Sequence, residues 1–296
     1  MGRYIPLRAL IAVAATGAVL TAAPAHAEST EIKVISHNIR GGQINNGALY
    51  TLDLVKSQIA SFAPDVVMLQ EVCQSQATNF ANTYQPLGWT VHYVVRREHP
   101  DCDGVPDGAT APIGELIAIP RAGSPYREFL PGDGSSNTYS ISCLTFFKNT
   151  GREYLACNTH LSAGSTLGAI RDSQLAQIQN SMQWSINYGR GVILGGDLNM
   201  TPDITSMDKL YKIRNDGSLT GNGSFFEADQ TDATYFRSVC SGQPFCRSGQ
   251  PTKGSEKYDY LFFAANKTTV NSLSGGVVAS PYSNHDLYRG RGLFVW

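Results

Sequence analysis

Apolar runs that stop on a polar residue recur along this chain and limit what it can fold into. Val192-Ile-Leu-Gly-Gly-Asp197-Leu-Asn199 is the clearest of them: three apolar residues, two glycines, then an acid and an amide two positions apart. A short run that is apolar throughout reads as a strand covered on both faces, and glycines at its end let another backbone or a ligand come close. Side chains alternate along a strand, so Asp197 and Asn199 fall on the same side. Asn38 closes a run that starts at Glu31, Glu71 follows Val66-Val-Met-Leu, and His160 closes a run from Glu153. Two helical patterns lie between these runs. Thr51 to Phe62 spaces Leu52, Val55, Ile59 and Phe62 helically, and Ala169 to Trp184 sets Leu175, Ile178 and Met182 on one face. Strands covered on both faces and interleaved with helices describe an α/β fold with helices outside the sheet.

Each polar ending also has an ordinary structural explanation. Gly-Asp-x-Asn closes a strand with an Asx turn, Asn38 is a common turn former, and a single histidine is usually a satisfied structural residue. Chemistry enters through their number. A glutamate one residue beyond four apolar residues is costly to bury alone, which favours a metal or a base role for Glu71. A carboxylate and a carboxamide at one strand end suit a water, a hard cation or a phosphate oxygen. Tyr258-Asp259 and Tyr282-Ser283-Asn284-His285-Asp286 add an acid and a histidine, and an Asp reaching an imidazole nitrogen fixes its tautomer and raises its basicity. The strand Trp89–Val95 runs into Arg96-Arg97, readable as a phosphate contact or a solvated loop, and Gly114–Ile119 is a strand carrying Glu115.

The N-terminus has the basic, apolar and small-residue order of a secretory signal, with Ala25-His-Ala27 as its cleavage site. Residues 28–296 then form one domain, expected outside the cell, with no Pro- or Ser-rich linker or repeat dividing it. A net charge of −1 gives no general attraction to polyanions. Six cysteines in an exported chain suggest three disulfides. Ser140–Phe147 and Glu153–His160 read as a hairpin in which Cys143 and Cys157 stand opposite each other. Cys240–Cys246 closes a short loop, which leaves Cys73–Cys102. No Cys-x-x-Cys pair supports zinc.

In order, Asn38, Gln70-Glu71, Thr159-His160, Gly196-Asp197-Leu198-Asn199, Tyr258-Asp259-Tyr260 and Asn284-His285 make the chain similar to the endonuclease/exonuclease/phosphatase superfamily, of which deoxyribonuclease I is the best-known form. The resemblance runs from Ile32 to the C-terminal strand. It implies a four-layer α/β sandwich, two packed mixed β-sheets flanked by helices, with the site at one edge. It implies that Glu71 binds Mg²⁺ (or Mn²⁺ or Ca²⁺) with Asn38 beside it, and that Asp197 and Asn199 hold the attacking water and the phosphate. His285, oriented by Asp259, is implied as base or phosphate ligand. His160, supported by Glu115, is implied on the opposite side of the phosphorus, and Arg40 and Arg171 at phosphates. Asn284 stands where the family usually carries a metal-side Asp, so weaker cation binding is expected, with Asp286 as a partial substitute.

The implied function is a secreted, divalent-metal-dependent phosphodiesterase, foremost an endonuclease on DNA, acting as a monomer with no stable protein partner. A lipid phosphodiesterase of the sphingomyelinase or phospholipase C type is the alternative. It requires an exposed aromatic segment, for which Phe225-Phe226 is the candidate. A catalytically silent binding or toxin subunit is a third reading, motivated by Asn284.

Overall fold

The computed structural model describes residues 1–2, 28–102, 109–148, 151–214, 218, 221–232 and 247–296. Two six-stranded mixed sheets face each other. In the first, β1 (Ser29–Asn38) lies between β2 (Val66–Cys73), parallel to it, and the antiparallel β12 (Leu287–Val295). β4 (Ala111–Ile119) and β3 (Thr90–His99) extend it on one side, and β11 (Leu273–Val278) on the other. The second sheet has the order β5 (Gly123–Phe129), β6 (Ser140–Lys148), β7 (Arg152–His160), β8 (Gly191–Asp197), β10 (Asp259–Ala264) and β9 (Phe225–Glu227).

Alternation along the apolar runs builds three cores. On β2, Val66 and Met68 face the other sheet and pack among Ile193, Leu261 and Phe263. Val67 and Leu69 point the other way, toward Val55 of α1 (Asp53–Phe62) and Phe80 of α2 (Gln74–Tyr84). On the far side, Leu175, Ile178 and Met182 of α3 (Gly168–Asn187) cover Leu155, Val192 and Leu194. Helices, sheet, sheet and helix make the expected four layers, and each central strand is apolar throughout because both faces are covered.

The two helices expected from periodicity are α1 and α3, each within a few residues of its expected ends. α2 has no counterpart in that reading. Its sequence is polar, and it buries only Gln76, Ala77, Phe80 and Tyr84. Cys143 and Cys157 are direct cross-strand partners and are bonded, as is Cys73 to Cys102. Cys240–Cys246 and the signal-like segment from Arg3 to Ala27 lie outside the described residues. Phe225-Phe226, the candidate exposed segment of the lipid alternative, forms β9 against Phe263 and Ala264, and Phe225 is 2% exposed.

Candidate active site

Adjacent strand ends place the polar terminators in a row. His160 at the end of β7 is in register with Asp197 at the end of β8, and Asp197 is in turn opposite Asp259 at the start of β10. The glycines of Gly-Gly-Asp permit this. A Cβ on Gly196, whose φ is 129°, would meet the Thr159 carbonyl at 1.9 Å, and one on Gly195 would meet the Met68 sulfur at 2.7 Å. The first sheet supplies the facing half of the site through Asn38, Glu71 and the turn before β12. A buried polar bridge links the halves. Gln70 donates to Ser36 Oγ (3.2 Å) and Asn158 Oδ1 (2.7 Å), while Asn158 donates to the carbonyls of Leu69 and Leu116.

Asp197 Oδ2 is the hub. Asn38 Nδ2 donates to it at 3.1 Å, and the Nε2 atoms of His160 and His285 lie 3.5 and 3.6 Å away. Asn38 Nδ2 also donates to Glu71 Oε1 at 3.0 Å, and its Oδ1 accepts from the Arg40 amide. The Asn38 carboxamide therefore ties two carboxylates together, which is a different task from simple ligation. Asn199 donates its amide to Asp197 Oδ1 at 2.9 Å and its side chain to the Leu161 carbonyl, so it braces the strand end. Asp259 Oδ2 accepts from His285 Nδ1 at 2.8 Å. The imidazole is further seated by its backbone: His37 Nε2 donates to the His285 carbonyl, and the His285 amide donates to Ser283 Oγ, which itself donates to the Asn38 carbonyl.

Burial sets the electrostatics. Asp197 is pushed up to about 6 by desolvation, with His285 opposing and the Asp259 charge adding. Burial pulls His285 down, but Asp259 and Asp197 together outweigh it and the net shift is upward. Both groups therefore bind a proton more readily than they would in water, and they face each other across 3.6 Å. His160 is the opposite case. Desolvation, then the guanidinium of Arg96, hold it well below the ordinary histidine range.

Arg96 is the largest departure from expectation. Glu115, the expected direct support of His160, is separated from it by Arg96, which has one nitrogen 2.6 Å from His160 Nδ1 and 3.9 Å from Glu115 Oε1. Its guanidinium lies 4.5 Å from the centre of the Tyr139 ring. Arginine has only donors, so Nδ1 of His160 must accept, and the ring proton resides on Nε2, facing Asp197. Glu115 is buried and pushed up to about 7, chiefly by desolvation and against the pull of Arg96 and Arg127. These groups, with Glu71 and Arg97, line a cavity of about 160 Å³.

Three expected residues lie apart from the hub. Arg171 is buried and donates to the carbonyls of Ser162 and Gly164, which anchors the loop after His160. One end of its guanidinium is thus engaged with the loop, a structural task the sequence did not indicate. Arg40 donates to Gln43 at the site's edge. Asn284 is exposed and lines an outer groove with Tyr50 and Tyr282. Asp286 accepts from the Ser280 amide, closing the turn.

The donors present fit a hard divalent cation. Ligand atoms of Asp197, Asp259 and His285 lie within 4.8 Å of one another, Asp259 Oδ1 is buried without a hydrogen-bond partner among the described residues, and Glu71, partly exposed, is linked to Asp197 through Asn38. Carboxylate oxygens and imidazole nitrogen, without thiolate, suit Mg²⁺, Mn²⁺ or Ca²⁺. Arg40, Glu71 and Asn199 adopt left-handed φ values of 46°, 54° and 51° without being glycine. Backbone strain of this kind gathers where function needs a side chain re-aimed, and at Glu71 it coincides with a bulge in the β2–β4 pairing.

No curated protein sequence matches the chain. Solved structures share its fold at low identity. A Bacteroides thetaiotaomicron endonuclease/exonuclease/phosphatase family protein is 15% identical, with a TM-score of 0.64 over 90% of this chain and 99% of that one. The human nocturnin catalytic domain, solved with a bound sulfate anion, is 17% identical, with a TM-score of 0.62 over 92% and 97%. Truncated Caenorhabditis elegans TDP2 is 15% identical, with a TM-score of 0.59 over 88% and 97%. The model of the Endonuclease/Exonuclease/phosphatase family matches residues 35–285, and with six terminators of the right kind meeting at one rim of a two-sheet sandwich, the chain belongs to that family.

Proposed function

We propose that the protein is a divalent-metal-dependent phosphodiester hydrolase acting on nucleic acid, foremost as a DNA endonuclease outside the cell. One observation carries the reading: two imidazoles from different sheets converge on the same oxygen of a buried aspartate. A phosphodiester is anionic and resists hydroxide, so its hydrolysis needs a base for water and donors for the charge that develops on phosphorus. His285, oriented by Asp259, takes the proton of the attacking water. Asp197 orients that water and, through its raised affinity for a proton, shares the load. His160 presents an Nε2–H donor to a phosphoryl oxygen from the other side. A cation held by Glu71 and the Asp197–Asp259 carboxylates supplies neutralisation of the growing charge.

The human nocturnin domain, which shares this fold, holds a sulfate, an anion of phosphate's shape, and that agrees with an oxyanion site on this scaffold. The disulfides Cys73–Cys102 and Cys143–Cys157 support an oxidising compartment. Phe225, half of the aromatic pair that the lipid alternative would use, is buried, which favours the nucleic-acid reading. The test is incubation of the purified protein with supercoiled plasmid, single-stranded RNA and sphingomyelin vesicles, each with Mg²⁺, Mn²⁺ or EDTA. Metal-dependent nicking of the plasmid, lost in His160→Ala and His285→Ala, is the expected result. Cleavage of sphingomyelin alone, or cleavage that survives EDTA, refutes it.

A further inference from the structure

We propose that the groove beside the catalytic turn is a platform for one nucleobase next to the scissile phosphate; the inference rests on the nucleic-acid reading above. Tyr282 lies three residues before His285 on the same turn, and its ring meets Tyr50 with centroids 4.9 Å apart at 53°. Both are held by one side chain. Asn45 donates to the Tyr282 carbonyl at 2.8 Å and accepts from the Tyr50 hydroxyl at 3.0 Å, which joins two loops distant in sequence. The rings therefore do not depend on a ligand for their position, although Tyr50 is 45% exposed and Ile44 beside it 54%.

The groove is about 660 Å³ and its lining includes Ile44, Tyr50, Pro281, Tyr282 and Asn284, with no charged side chain among the lining residues. That composition does not suit a second phosphate or a metal ion. It suits a flat, neutral group with a hydrogen-bonding edge: ring faces and Ile44 for its plane, and the exposed carboxamide of Asn284, which both donates and accepts, for its edge. A quaternary ammonium headgroup would use the rings but leave that carboxamide idle, and no carboxylate lines the groove to balance its charge. Position names the occupant more narrowly. Ser283, which lines the groove, accepts from the His285 backbone amide at 3.1 Å and donates to the Asn38 carbonyl at 2.7 Å, so the groove adjoins the turn that carries the imidazole. A phosphate seated at Asp197 and His285 thus has one of its two flanking nucleosides directed at the Tyr282 turn. Asn284, which carries no negative charge, then serves the base and not the cation.

The test uses the full chain and an oligonucleotide with a single cleavable phosphodiester among methylphosphonate linkages, with an abasic residue placed in turn on either side. Binding is read by fluorescence anisotropy on the His285→Ala background, which needs no turnover, and hydrolysis is read separately on the wild-type background. Removing the base on one side is expected to weaken binding about 5- to 150-fold, the range for one stacked base. Tyr282→Ala is expected to weaken binding of the intact oligonucleotide to a similar degree, Tyr282→Phe to restore it, and the abasic and Tyr282→Ala losses not to multiply. Equal effects of Tyr282→Ala on intact and abasic oligonucleotides, or none on either, overturn the platform even if hydrolysis is robust. Tyr282→Ala impairing phosphocholine lipid cleavage while oligonucleotide binding is untouched overturns it in favour of a headgroup. Absence of hydrolysis with base-dependent binding intact would instead fail the hydrolase reading and leave the platform standing.

Discussion

Replacing Arg96 by methionine removes the group that decides which nitrogen of His160 carries its proton. The guanidinium donates to Nδ1 at 2.6 Å, and the ring is only 4% exposed. In Arg96→Met, Nδ1 loses its donor and Glu115 loses the cation that restrains its upward shift. Glu115 then holds its proton more firmly, and the imidazole is free to place its own proton on Nδ1. Its Nε2 becomes an acceptor facing Asp197, where a donor is required. A hydrogen bond involving a charged partner contributes about 1.5–3 kcal/mol. At about 1.4 kcal/mol per tenfold, kcat is expected to fall about 10- to 150-fold, with KM less affected. The assay is steady-state hydrolysis of the single-site oligonucleotide alongside ¹⁵N NMR of the histidine rings, which reports the tautomer directly. Arg96→Lys, also a pure donor, keeps the Nε2–H form while losing the flat contact with Tyr139, so it falls between the two. An Arg96→Met protein that retains the Nε2–H tautomer and loses less than about threefold in kcat would refute this account of His160.

Three further outcomes follow from the geometry. His285→Ala is expected to lower kcat by about 10²- to 10⁴-fold, the range for a positioned proton acceptor, with the melting temperature nearly unchanged. Equal losses of activity and fold would make the residue structural. Glu115 is raised from 4.5 to about 7, so its contribution to stability is complete below about 4.5 and is lost as pH rises through about 7, up to about 3 kcal/mol in all. Thermal melts of Glu115→Gln are therefore expected to decline less between about pH 5 and about pH 8 than those of the wild type; parallel declines contradict the shift. Removing the Cys143–Cys157 disulfide by paired alanine substitutions, which opens a link between residues 14 apart, is expected to cost about 2–4 kcal/mol in denaturant titration. A loss below about 1 kcal/mol would mean that strand pairing alone fixes the hairpin.

The strand ends were legible because burial on both faces leaves a short apolar word in the sequence, and a polar residue directly after it marks where the strand meets the rim. Cys143 opposite Cys157 was legible for a related reason: counting outward from a turn fixes the register of a hairpin. The partner of His160 was not, because Arg96 reaches it from β3 in the opposite sheet, and no spacing in the chain records which side chain fills a gap in three dimensions. The contact of Arg171 is hidden for a similar reason, because helix position alone does not show that its guanidinium turns back onto the loop carbonyls of Ser162 and Gly164. Phe225-Phe226 stays ambiguous in sequence for a like reason, since an aromatic pair in a polar, loop-rich stretch fits core or surface until β10 is seen beside it. α2 escapes because its few buried positions are partly polar, so no apolar stripe announces it.

Glu71 and Asn199 each ask their Cα for two incompatible things. The main chain there prefers the one amino acid that has no side chain to offer, whereas the proposed hydrolysis calls for a carboxylate at Glu71 and the strand end uses the carboxamide of Asn199. A screen that rewards only thermal robustness should therefore drift toward glycine at both positions and return proteins that are sturdier, correctly shaped and inert. Any effort to harden this molecule has to leave those two residues out of the search.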